Sequence, residues 1–117
     1  MKAAVFKGKD VPFQVIDVPK PRPIKDQVLI KLKYAALNHR DLWALTEIAT
    51  LPQTNGVILG SDGCGVVEEV GEDADPFLIG SEVIINPSLE WGNNPMVQGD
   101  SFKILGNPDN EIGRAHV

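Results

Sequence analysis

The sequence predicts a mainly β domain, a compact and mostly antiparallel barrel or sandwich with little helix. Three observations carry this: short apolar or alternating runs recur along the chain, turn residues bound them, and only one segment has helical propensity. A length of 117 residues is one small domain, and 43% hydrophobic with 23% charged residues is the mix of an ordinary soluble globular chain.

Taken in order, Lys2–Lys7 is the expected first strand. Phe13–Val18 is the second, with Phe13, Val15 and Asp17 alternating against Gln14, Ile16 and Val18. Pro19, Pro21 and Pro23 then force a loop, because proline cannot donate to a ladder. The strongest strand is 27–37, which places Val28, Ile30, Leu32 and Tyr34 on one face and Lys31 and Lys33 on the other. Asn38-His39-Arg40-Asp41 interrupts it, and Leu42–Thr46 suits a short helical turn capped by Asn38 or Asp41.

Residues 50–56 read as a loop, Val57–Leu59 as a short strand and Asp73–Gly80 as a turn. Glu82–Asn86 is apolar enough for a buried strand. Pro87–Gly99 is mostly Gly, Pro, Asn and Ser with Trp91 embedded. Trp43 and Trp91 are expected to pack in the core or under loops, and the charges from Lys20 to Lys33 to form a solvated edge that discourages strand pairing.

Gly60-Ser61-Asp62-Gly63-Cys64-Gly65 runs into Val66–Val70, a β-branched strand, and not into a helix. A phosphate-binding glycine loop needs a helix start after it, so this stretch is not one. Its glycines suit a backbone that turns sharply or is closely approached, and Asp62 stands at the mouth of that turn.

A formal net charge of -5 argues against a nucleic-acid surface or an anionic-membrane anchor. One cysteine, Cys64, rules out an internal disulfide and a multi-cysteine zinc lobe. The first residues break their apolar run with charge too early for a signal peptide, and no stretch is long enough to span a membrane, so a cytoplasmic location is expected.

The order Met1-Lys2-Ala3-Ala4-Val5, Val28–Leu32, Ala36-Leu37-Asn38-His39-Arg40-Asp41, Leu59–Gly71 and Gly80-Ser81-Glu82-Val83 resembles the amino-terminal domain of medium-chain dehydrogenases/reductases. The resemblance covers the chain to about residue 110. It implies a GroES-like, partly open β-barrel over residues 1–110, here incomplete at its C-terminus and lacking the nucleotide-binding Rossmann domain that follows in complete members. Zinc-dependent members place a cysteine where Asn38 stands and a histidine-glutamate pair where Ser61-Asp62 stands. Asn38 and Ser61 are poor zinc ligands. The resemblance is therefore to the zinc-free branch, similar to quinone oxidoreductases and enoyl reductases, in which hydride passes from a nicotinamide to an activated alkene, quinone or carbonyl.

On that resemblance Asn38, Asp41 and Asp62 are the implied catalytic residues. Asn38 and His39 are the implied cofactor contacts, and Tyr34 and Arg40 are weaker candidates near the substrate. Arg40 departs from the serine or threonine proton relay of zinc members. NADPH or NADH is implied for the full-length protein, with none held by this stretch alone and no zinc expected; the partner is a small-molecule substrate, and a homodimer could form through an unpaired strand edge. Read locally, Asn38 and Asp41 are helix caps worth ~1 kcal/mol, His39 a surface or packing histidine, Asp62 a turn residue and Cys64 an inert thiol. Two other functions compete, a zinc-dependent alcohol dehydrogenase and a non-enzymatic co-chaperonin-like assembly module. The last seven residues, Glu111–Val117, lack the family's continuation, and one back-translation of them matches a sequencing adapter; they are expected to be a non-native tail, leaving His116 without function.

Overall fold

The structure, a computed structural model, describes residues 1–8, 11–12, 14–48 and 56–106. Their elements are β1 (Lys2–Val5), β2 (Gln14–Asp17), β3 (Val28–Ala36), α1 (His39–Ile48), β4 (Asp62–Val70), a 3-10 turn at Pro76–Leu78, β5 (Glu82–Ile84), β6 (Ser88–Leu89) and β7 (Lys103–Ile104). Every strand pairing is antiparallel: β1 with β2, β4 with both β3 and β5, and β6 with β7. The mainly β expectation is met, with three small sheets that do not close into a barrel among the described residues.

The β3–β4 ladder positions everything near the site. It begins with Val28 opposite Val70 and Leu29 opposite Glu69, then shifts so that Ile30 faces Val67 and Glu68 is unmatched. A second shift between Leu32 and Tyr34 leaves Lys33 unmatched. One extra residue on each strand cancels, and the ladder ends with Ala36 opposite Asp62. Both unmatched residues find charged partners, Glu68 with Lys20 at 3.0 Å and Lys33 with Glu82 at 2.8 Å. Gly65 lies at the second shift, where a Cβ would come 2.1 Å from the Lys31 carbonyl oxygen, so a side chain has no room there.

The core is drawn from several elements. Ala3, Val5 and Phe6 come from β1 and its end, Leu29 from β3, Val67 from β4 and Leu105 from beyond β7, and Val67 is 2% exposed. Phe6 and Val57 exchange backbone hydrogen bonds at 2.9 and 2.8 Å and so tie β1 to the segment before β4.

Several sequence expectations change in detail. The buried residue of β3 is Leu29 and not the Val28–Tyr34 face; Leu32 is exposed before the shift at Lys33, and Tyr34 beyond it is 74% exposed. The segment at 82–86 is not buried: β5 is a three-residue edge strand that half-buries Val83 and leaves Ile84 87% exposed. Val57–Leu59 contributes a single bridge instead of a strand, and Pro87–Gly99 contains β6. Trp91 packs a loop as expected, edge-on to Phe102 at 5.3 Å with its Nε1–H donating to the Asn94 carbonyl. Trp43 is not a core residue, being 63% exposed. Phe13 and the tail at 111–117 fall outside the described residues.

Two outcomes follow from this packing. Gly65→Ala is expected to destabilise by ~2–3 kcal/mol through backbone collision; Gly80→Ala, at φ 88° with open space around it, should cost only the left-handed penalty of ~1 kcal/mol. Equal shifts in urea midpoint for the two variants would refute the close approach. The hydrogen bond between Lys33 and Glu82, reinforced by their opposite charges, holds the Glu82 carboxyl below the usual glutamate value and the Lys33 ammonium above the usual lysine value. Glu82 therefore adds stability at neutral pH that is lost as pH falls through its lowered value, and Lys33 adds stability that is lost only as pH rises through its raised one. Lys33→Met should return Glu82 to the ordinary range in an NMR carboxylate titration.

Candidate functional site

The site forms where β3 ends, α1 begins and β4 starts. The ladder register brings Asp62 opposite Ala36, two residues before Asn38. Asn38 is the residue preceding α1, and its backbone N–H donates to Asp41 Oδ2 at 2.8 Å while the Asp41 N–H donates to the Asn38 carbonyl at 2.9 Å. This is half of a reciprocal capping box, in which the residue at the third helical position reaches back to the cap. Asp41 therefore closes the helix start. The Asn38 side chain is spared from capping, and its Nδ2 donates to Asp62 Oδ2 at 2.5 Å.

A second chain of contacts runs beside the first. Ser61 is 6% exposed, and its hydroxyl donates to the Leu105 carbonyl at 2.7 Å. The same oxygen accepts from Arg40 Nη1 at 3.3 Å. Gly106 reinforces this seam, since it sits at φ 80° with its Cα so close to Gly60 that a Cβ would meet the Gly60 carbonyl oxygen at 2.2 Å. The glycine before Ser61 and the one after Leu105 thus allow two backbones to touch and bury the serine hydroxyl between them.

Ser61 and Asp62 also form part of the wall of a cavity of about 550 Å³, whose other walls are largely apolar and include Ala4, Leu29, Leu32 and Ile85. Polar groups at the edge of an apolar cleft are the usual form of a small-molecule site.

The structure thus gathers Asn38, Asp41 and Asp62, the three residues singled out as catalytic. His39 is exposed on the first turn of α1 with its ring edge-on to Trp43 at 5.1 Å, and among the described residues it makes no hydrogen bond to the cluster. Tyr34 projects to solvent four residues before Asn38. Cys64 is a half-buried free thiol. The role of Leu105 and Gly106 in burying Ser61 left no signal in the sequence, because the contact spans 44 residues. Among the described residues no group of three or more His, Cys, Asp or Glu side chains gathers to hold a metal ion, and no helix is long and apolar enough to cross a membrane.

Comparison with known proteins gives this arrangement a lineage. The family described as alcohol dehydrogenase GroES-like domain matches residues 24–113. An acryloyl-coenzyme A reductase of Sulfurisphaera tokodaii is 41% identical over 85 residues, covering 72% of this chain and 25% of that protein. A zinc-type alcohol dehydrogenase-like protein YogA of Leptosphaeria maculans is 36% identical, covering 98% of this chain and 34% of that protein. A crystal structure of an NAD-dependent alcohol dehydrogenase superposes with a TM-score of 0.78 at 36% identity, covering 92% of this chain and 34% of that one. The chain spans about a quarter to a third of the length of these relatives. Fold and matched residues agree, and the chain belongs to the alcohol dehydrogenase GroES-like domain family of the medium-chain dehydrogenases/reductases.

Proposed function

We propose that this domain is the substrate-side half of a nicotinamide-dependent oxidoreductase that reduces an activated alkene, quinone or carbonyl without a metal ion. The observation that carries this reading is the pairing of Asn38 with Asp62. The amide is a weak metal ligand to begin with, and its N–H is already bonded to the Asp62 carboxylate. The neighbouring Ser61 hydroxyl is equally committed, to a backbone carbonyl. One relative supports the choice of substrate by name, since an acryloyl thioester is an alkene conjugated to a carbonyl.

Within this reading each residue has a distinct task. Asp41 holds the turn by fixing the Asn38 backbone. Asp62 orients the Asn38 amide, whose Oδ1 accepts no hydrogen bond among the described residues and so suits a donor such as a carboxamide N–H. His39, exposed and braced by Trp43, suits a phosphate or ribose contact at the outer edge. A nicotinamide supplies hydride when bound, and NADPH is the favoured form. The apolar cavity walls receive the carbon skeleton of the substrate and exclude water around it.

A zinc-dependent reading is favoured by the name of the Leptosphaeria maculans relative. Metal analysis of the full-length protein after dialysis against a chelator separates the two. Activity should survive with zinc far below one per chain, and tightly held stoichiometric zinc would overturn the metal-free reading. Asn38→Ala should lower kcat/KM by ~10- to 100-fold through lost positioning, with little change in melting temperature. Asp41→Ala should instead show first as a loss of ~1 kcal/mol of stability in thermal or urea unfolding, because it uncaps α1.

A further inference from the structure

We propose that the Arg40 guanidinium is the electrophile of this site, the cation that hydrogen-bonds the substrate's carbonyl oxygen as hydride arrives. This rests on the metal-free reading above. Arg40 is half-buried, and its Nη1 is fixed to the buried Ser61 hydroxyl at 3.3 Å. That hydroxyl donates its one hydrogen bond to the Leu105 carbonyl at 2.7 Å, so it can only accept from Arg40, and the tether has one sense. Among the described residues no carboxylate lies within ion-pair distance of Arg40, a state it shares with Lys7, Arg22, Lys25 and Lys31 but not with Lys2, Lys20, Lys33 and Lys103. A partly desolvated cation with free N–H donors and no counter-charge is complementary to negative charge that arises beside it.

The two neutral side-chain donors next to it are already engaged. The Asn38 amide donates to Asp62, and the Ser61 proton goes to the backbone. The charge to be stabilised follows from the reaction. When hydride adds to the terminal carbon of a conjugated alkene, the alkene π pair shifts inward and the carbonyl π pair moves onto oxygen, giving an enolate. The nicotinamide is thereby oxidised and the substrate reduced by two electrons. Arg40 holds its proton throughout, since guanidinium does not deprotonate in proteins, and donates a hydrogen bond to that oxygen. Water then protonates the α-carbon.

The test uses the full-length protein and a stable oxyanion, 4-nitrophenolate, whose absorbance reports its own ionisation. Wild type should bind it saturably and lower the apparent pKa of bound 4-nitrophenol, and Arg40→Gln should weaken phenolate binding about tenfold. Absence of saturable binding, or equal binding by the variant, would sink the proposal. In steady-state reduction of 2-cyclohexenone by NADPH, Arg40→Ala should lose ~10²- to 10³-fold in kcat, with NADPH affinity unchanged and partial recovery in added guanidinium chloride. Should Arg40→Ala not fold, Arg40→Lys and Arg40→Gln replace it. The lysine variant should be the more active, and equal activity would count against a role for the charge. Chelator-treated wild type, run alongside, distinguishes the two claims: loss of its activity overturns the metal-free reading, whereas retained activity without guanidinium rescue overturns Arg40 alone.

Discussion

The site depends on the register of one ladder. Asp62 can meet the Asn38 amide only because β3 and β4 end with Ala36 opposite Asp62, and that ending survives two irregularities along the way. In a sheet a slip of one residue turns every side chain to the opposite face. A single uncompensated extra residue would put Gly63 or Ser61 where Asp62 stands. Gly65 is the residue that lets the strands pass so closely at the second irregularity, and its requirement is steric, not conformational.

The second constraint is the division of labour at the start of α1. A helix beginning with an asparagine usually uses that side chain as its own cap. Here Asp41 reaches back to the Asn38 N–H, and the asparagine amide is left to point across to β4. Local helix chemistry and site chemistry, which compete for the same few residues at such a junction, are thereby assigned to different side chains. The seam at Ser61 repeats the principle, with the buried hydroxyl satisfied by a backbone carbonyl while its remaining lone pair orients a guanidinium.

Much of this was legible in the sequence, for identifiable reasons. Strand β3 declared itself by alternation, the capping pair by type and spacing, and the glycine run by what followed it. The resemblance singled out Asn38, Asp41 and Asp62 together. What failed did so where tertiary context overrides pattern. Alternation along β3 could not reveal the extra residue at Lys33, and Tyr34 beyond it is exposed. Apolar composition at Ile84 suggested burial, but an edge strand of three residues has cover on one face only. Arg40 carries little signal in the sequence because its contact is to Ser61, 21 residues away.

The paired irregularities of the central ladder also bear on how such a domain can change over time. Because one unmatched residue on each strand cancels the other, loss or gain of a single codon in either strand alone misaligns the end that holds Asn38 and Asp62, while simultaneous changes in both preserve it. Insertions and deletions along this stretch are therefore constrained to occur in concert. Length differences among descendants should collect instead in the loops that join the strands, where they leave the alignment of Asn38 with Asp62 untouched.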